Sequence, residues 1–243
     1  MRLLDGQNVS KHFGGIAALS NVSFHVDEGE IVGLIGPNGA GKTTLFNVIC
    51  CFYPLDGGTI KFKGSKITGL KPHQVCRRGI ARTFQITRSF ANMTVRENIM
   101  VGSLFGKSRG SVKIAREEAI QLMEFTGLTG KADILAVSLI SADARRLELA
   151  RALAARPEIL LLDEVMAGLN PSEVAEAMKL IQRLRNEMGI TIFMVEHIMK
   201  SVMGISDRII VLASGRQIAE GTPKEVSENP VVIEAYLGET RET

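Results

Sequence analysis

At 243 residues with 45% apolar side chains, the chain has room for one large domain or a core with an inserted lobe, and it is too apolar to be disordered. Its 29 basic and 26 acidic residues nearly cancel, so the formal charge of +3 points neither to nucleic acid nor to an anionic membrane surface. Cys50, Cys51 and Cys76 are too few and too poorly spaced for a disulfide framework or a four-ligand zinc site, which fits a reducing, cytosolic compartment.

The first residues carry no signal-peptide pattern, and no uncharged apolar run reaches the roughly 18 residues of a membrane span, so any work at a membrane is expected to go through a partner. VSFHV (22–26) alternates polar and apolar residues, as a half-exposed antiparallel strand does. After the turn-forming DEGE, EIVGLI (30–35) is continuously apolar and ends at a glycine, the pattern of a buried parallel strand feeding a loop. TTLFNVICCF (43–52) predicts a helix, and GTIKFKGSK (58–66) alternates again, returning to the antiparallel layer with a turn at Gly64. Residues 96–128 read as helical, with Ala119, Leu122, Met123 and Phe125 toward a core, and form a candidate helical lobe. The charge run from Lys71 to Arg78 reads as a solvated face.

A helix over 143–155, with Leu147, Ala150, Leu153 and Ala154 on one side, is bounded by Pro157 before the strand ILLLD. Helix 171–188 and the strands TIFMV and RIIVL continue an alternating α/β scheme, for which a parallel sheet is the economical solution. ASGR turns a hairpin, and Thr222, Pro223 and Glu225 make a capping box that starts a short C-terminal helix.

Between the buried strand and the first helix stands Gly36-Pro37-Asn38-Gly39-Ala40-Gly41-Lys42-Thr43-Thr44, with the spacing GxxxxGK[ST]. Its glycines allow backbone N–H groups to turn toward phosphate oxygens, the following helix presents its positive end, Lys42 adds a full charge, and Thr43 offers a hydroxyl to a phosphate-bound Mg2+. Asp163, at the end of ILLLD, is placed to serve that metal, and Glu164 to polarise an attacking water, either as general base or as orienting group. His197, at the end of another strand, is either a structural histidine or a donor to a γ-phosphate; Gln85 is an ordinary amide, and Phe13 either a core residue or a base-stacking one, until neighbouring motifs decide.

These segments, in this order, resemble the nucleotide-binding subunit of ATP-binding-cassette (ABC) transporters over nearly the whole chain. The resemblance implies an α/β P-loop NTPase with a RecA-like parallel core, an antiparallel β subdomain and an inserted helical subdomain. Residues 1–84 would carry the antiparallel layer and phosphate loop, 85–149 the helical subdomain, 150–221 the rest of the core, and 222–243 a helical tail. It implies ATP and Mg2+ as ligands, adenine stacking on Phe13, metal contacts from Thr43, Gln85 and Asp163, catalytic roles for Glu164, His197 and Gln85, and a dimer-contact loop at Asn170. More narrowly, ARTFQITRSFANMTVREN (81–98), VEH (195–197) and ENPVVIEAYLGE (228–239) look like the LivG-type ATPase of branched-chain amino acid importers, with the lipopolysaccharide-export ATPase as the nearest rival.

In such transporters two cassettes pack head to tail, and each ATP meets the partner's LSGGQ signature. Here Leu139-Ile140-Ser141-Ala142-Asp143 stands in that place. Ile140 lacks the hydroxyl, Ala142 adds a Cβ, and Asp143 brings negative charge to a helix start, while Ser141 either caps the helix or takes over the missing contact. Either this is tolerated subtype variation with normal turnover, or the chain pairs with a different cassette, one site competent and the other slow; the resemblance itself implies work beneath membrane permease subunits at the cytoplasmic face, with a periplasmic or extracellular substrate-binding protein and no nucleic acid. Phe90 and Met93 would lie beside the groove for the permease. Val165 replaces the usual proline after Glu164, and Cys51 a frequent glycine. A soluble cassette acting on nucleic acid or ribosomes usually has paired cassettes or coiled-coil insertions, and a regulatory GTPase has an NKxD motif; this chain has none of these.

Overall fold

The computed structural model describes residues 1–84, 89–107 and 111–237. Strands β1 (Arg2–Phe13), β2 (Ile16–Asp27), β4 (Gly57–Phe62) and β5 (Ser65–Lys66) form an antiparallel sheet in the order β2-β1-β4-β5. A second sheet runs β10-β9-β3-β8-β7-β6, from β3 (Ile31–Ile35), β6 (Ile80–Arg82), β7 (Ile159–Asp163), β8 (Thr191–Val195), β9 (Arg208–Ala213) and β10 (Arg216–Gly221). Its strands are parallel except for the β9–β10 hairpin. The apolar runs of β3, β7 and β8 are buried at every position, as strands covered on both faces must be.

Alternate residues of these strands feed two cores. Val32, Leu34, Leu161, Phe193 and Ile210 join Leu4, Val26 and helix α1 (Lys42–Ile49) beneath the antiparallel layer. Ile31, Leu160, Met194 and Val211 face helices α6 (Pro171–Met188) and α7 (Met199–Ile205) on the other side. Phe46 of α1 meets Phe193 at 5.2 Å between ring centroids, which holds the phosphate-loop helix to the sheet.

Strand β1 is absent from the sequence-based expectations for a physical reason. Its pairing with β2 shifts register between Gly6 and Val9, and Asn8 takes a left-handed φ of 50°, so bulges break the alternation that would announce a strand. The expected helical run 96–128 is two helices, α3 (Val95–Phe105) and α4 (Val112–Thr126). A Cβ on Gly106, just after α3, would lie 2.5 Å from the Ala155 Cα, so the chain leaves α3 where it touches the C-terminal end of a later helix. That helix, α5 (Ser141–Ala154), belongs to both bodies: Leu147, Ala150 and Ala154 pack with Val95, Ile99, Ala119 and Met123 in the lobe, while Leu149 and Leu153 join the core beneath the sheet.

Helix α2 (Pro72–Arg77) buries Val75 and exposes its basic residues, as a solvated face should. The capping box at Thr222 and Glu225 is formed and starts α8 (Pro223–Ser227), followed by α9 (Pro230–Leu237). Cys50 is buried, and burial pushes its thiol up to about 12, the behaviour of a small packing residue. Cys51 adopts φ 57°, a left-handed conformation that explains a glycine preference there. Among the described residues no helix is long and apolar enough to cross a membrane.

Candidate functional site

The loop between β3 and α1 is shaped by glycines that nothing else can replace. Gly36 has φ 150° and Gly41 φ 100°; a Cβ would fall 2.0 Å from the Leu212 carbonyl oxygen at the first and 2.4 Å from that of Ala18 at the second. Helix α1 begins at Lys42 with no side-chain cap and no acidic residue in its first turn, so its opening amides and positive dipole end are left to an anion. Lys42 is buried, and its ammonium donates to the carbonyls of Gly36 (2.6 Å) and Pro37 (2.8 Å). A polar cavity of about 210 Å3 is lined by Ala18, Asn38 to Thr44, Glu164 and His197. One loop and the ends of two distant strands therefore meet around one phosphate-sized space.

At the end of β7, Asp163 is 1% exposed; Arg82 donates to its Oδ2 at 2.6 Å, while its Oδ1 is buried without a partner among the described residues. Burial pushes this carboxyl up, against the pull of the Arg82 guanidinium. Glu164 follows in a left-handed conformation (φ 53°), a strained backbone that turns its side chain away from the sheet toward the cavity. Its Oε1 lies 2.7 Å from His197 Nε2, so two residues 33 positions apart form a pair at the cavity wall.

A profile described as ABC transporter matches residues 19–167, more than half of the chain. The chain belongs to the ABC transporter family. It is an ATPase of the cassette type, and a second profile, for branched-chain amino acid ATP-binding cassette transporters, matches residues 216–242. The high-affinity branched-chain amino acid transport ATP-binding protein LivG of Salmonella typhimurium is 46% identical over 98% of both chains. The lipopolysaccharide export system ATP-binding protein LptB of Haemophilus influenzae is more distant, at 36% identity over 98% of both. The solved ADP conformation of an ATP-binding cassette of an ABC transporter superposes with a TM-score of 0.89, at 32% identity, covering 98% of this chain and 99% of that one. A dimeric bacterial ABC transporter cassette gives 0.83 at 29% identity, covering 90% and 98%.

Phe13, Asn170 and Phe90 do not line this cavity. Phe13, 42% exposed at the end of β1, meets Tyr53 edge-on at 5.2 Å, and the Lys11 ammonium sits 5.4 Å from its ring centroid; it is an open aromatic face and not a core residue. Gln85 lies outside the described residues. Asn170 caps α6, accepting from the N–H groups of Ser172 and Glu173. Phe90 lines a groove of about 370 Å3 between the lobe and the core, with Phe52, Phe84 and Phe105, and Met93 does not.

The signature segment differs from expectation in two respects. Ser141 does not cap α5: it is the first helical residue, and Ile140, 68% exposed, holds the cap position without a side-chain bond. The Asp143 carboxylate does not face outward as free charge. It is buried, bonded to the Lys131 ammonium and 3.9 Å from Arg146, so its charge is neutralised within the lobe. Asp143 is two residues inside the helix and turned inward, which leaves the dipole end positive.

Four residues near this cavity and the strand ends that border it were not anticipated. Arg82 spans Asn47 Oδ1 (2.7 Å) and Asp163; a charge closing the short apolar strand IAR was its only sequence signal. Glu148 of α5 accepts from the Phe84 N–H at 3.1 Å, just before Gln85. Glu196, an acid following five apolar strand residues, is buried and accepts from the Met166 N–H at 2.8 Å; burial pushes it up to about 7. Arg145 donates to the Val165 carbonyl at 2.8 Å and the Glu164 carbonyl at 3.4 Å, a contact that no sequence pattern announces.

Proposed function

We propose that this cassette powers an importer of branched-chain amino acids, working at the cytoplasmic face of the cell membrane beneath permease subunits and paired with a second, different cassette. The substrate class rests on likeness to LivG over nearly the full length and on the C-terminal profile match. A substrate-binding protein would deliver the cargo outside. The site assignment rests on one observation: the Glu164–His197 pair stands at the wall of the cavity that the phosphate loop opens.

In this reading the first-turn amides of α1 and the Lys42 ammonium take the β- and γ-phosphate oxygens, with Lys42 exchanging the Gly36 and Pro37 carbonyls for phosphate. The partnerless Asp163 Oδ1 and the exposed Thr43 hydroxyl suit a hard divalent cation. Magnesium held there, with Gln85 as a third contact, would neutralise phosphate charge. Glu164 orients water for in-line attack on the γ-phosphorus and accepts its proton as the bond to the bridging oxygen of ADP breaks. His197 holds Glu164 through Oε1 and is poised to donate to the γ-phosphate. Phe13 offers the face on which adenine stacks.

Residues 1–84 and 150–221 then form the nucleotide-binding core, 85–149 the lobe that meets the partner and permease, and 222–243 the subtype-specific tail. Leu139 to Asp143 would serve the partner's ATP. Lacking a hydroxyl at Ile140, that site forfeits one hydrogen bond to a charged group, about 1.5–3 kcal/mol, and turns over more slowly. Purification of the native complex should bring down a permease and a different cassette, and Lys42→Ala should abolish leucine uptake by that complex. Recovery of a lipopolysaccharide-export permease, or undiminished uptake by the variant, would refute the assignment.

A further inference from the structure

We infer that Arg145 is a positioning residue that ties the turn carrying Glu164 to the helix facing the partner's nucleotide, so that engagement of the partner's ATP sets the geometry of this chain's own hydrolytic site. The inference rests on the reading of Glu164 as the catalytic carboxylate and of the α5 start as the partner-facing segment.

The turn from Glu164 to Met166 leaves β7 in a left-handed conformation that an unsupported glutamate would not keep. Three groups from elsewhere in the chain hold it. The Val195 carbonyl accepts from the Glu164 N–H at 2.9 Å, Glu196 accepts from the Met166 N–H at 2.8 Å, and the Arg145 guanidinium donates to the Glu164 and Val165 carbonyls. The first two belong to β8 and its end, a fixed part of the core. Arg145 alone of the three comes from α5, one turn after the helix start at Ser141.

Leu149 and Leu153 pack the middle of α5 into the core, but near the helix start lobe and core leave a gap. A cavity of about 230 Å3 lies between Phe125 and Ala142 of the lobe and Leu162, Ala177 and Ile181 of the core, with Arg145 on its wall. Side chains pressed together would resist a shift of α5, whereas a gap spanned by a charge-assisted hydrogen bond permits a small displacement and passes it to the bonded carbonyls. A pull on the α5 start thus reaches the peptide that aims Glu164, without passing through the phosphate loop. Val165 fits the role, because its carbonyl is the closer acceptor.

The test uses the complex with its partner cassette, comparing Arg145→Met and Arg145→Lys with wild type and with Glu164→Gln. Arg145→Met should lower kcat about tenfold while the KM for ATP and the Kd for a fluorescent ATP analogue stay within about twofold, since misplacement of a catalytic group by a fraction of an ångström costs turnover and not binding. Arg145→Lys, able to reach one carbonyl, should recover part of the loss. Mutating the phosphate-loop lysine of the partner should lower this site's turnover in wild type and have no further effect in Arg145→Met, the non-additivity expected of one coupled path. Unchanged kcat in Arg145→Met, KM rising in step with the fall in kcat, a lysine variant no better than methionine, or additive effects of the double substitution would each overturn the inference. Should Arg145→Met not fold, Arg145→Lys and the partner's substitution carry the same test. Undiminished turnover in Glu164→Gln would instead overturn the underlying assignment of the catalytic carboxylate.

Discussion

The two ends of this cassette's nucleotide-handling surface are built differently. Gly36 to Thr44 is closed by its own backbone: Gly36 and Gly41 each abut a carbonyl of this chain, Lys42 is held by two others, and Glu164 and His197 complete the wall. The start of α5 is finished on its inner side, where Asp143 meets Lys131 and Arg146, and open on its outer side, where Ile140 and Ser141 stand exposed. A segment that serves its own chain's ligand is specified by contacts within that chain. One that serves another chain's ligand shows only the half that the lobe itself needs.

Removing the proposed catalytic carboxylate, Glu164, should reveal that contrast most strongly. Glu164→Gln keeps the hydrogen bond to His197 but removes the carboxylate, and turnover of the complex should fall by about 10²–10³, more than for the equivalent change in the partner. Equal losses, measured as steady-state ATPase activity, would break the picture of an unequal pair.

The same methyl group, added at one end and removed at the other, should have unequal cost. Gly36→Ala places a Cβ 2.0 Å from the Leu212 carbonyl and should destabilise the fold by about 3 kcal/mol or more in thermal unfolding. Ala142→Gly, in the first turn of α5, should cost no more than about 1 kcal/mol.

Glu196 separates the two ends by pH. Burial raises its pKa from 4.5 to about 7, so the folded state holds a proton that the unfolded state has released, and the stability it confers falls as pH rises from about 4.5 through about 7. Glu196→Gln, still able to accept from Met166, should therefore stabilise the protein by about 2–3 kcal/mol at pH 8, with the gain vanishing toward pH 4.5. The Asp143 carboxylate, at the open end, is instead paired with Lys131 and Arg146. Ile140→Ser, which adds a hydroxyl at the open end, should speed the partner's site by about tenfold or more, leaving this chain's nucleotide affinity unchanged.

How much of this was legible follows from the range of the forces involved. The phosphate loop, the buried strands around it, the Thr222 cap and the C-terminal helix start each depend on residues within a few positions of one another, and their residue types announce them. Strand β1 escaped notice because bulges at Gly6 to Val9 scramble its period, and the break between α3 and α4 because Gly106 answers to Ala155, a residue far along the chain. The fate of the Asp143 charge was equally hidden, since Lys131 lies across a turn and not on the same helix face.

By itself, then, the sequence determined the phosphate-binding loop, the α/β alternation and the family, because short-range spacing and local backbone demands are written residue by residue. Only the tertiary structure decided that Glu164 meets His197, that Asp163 is gripped by Arg82 with one oxygen to spare among the described residues, and that Arg145 reaches from the lobe to the turn carrying Glu164. Those contacts join segments 19 to 81 residues apart, brought together by the order of strands in the sheet and by a helix shared between two cores, and no local pattern encodes them.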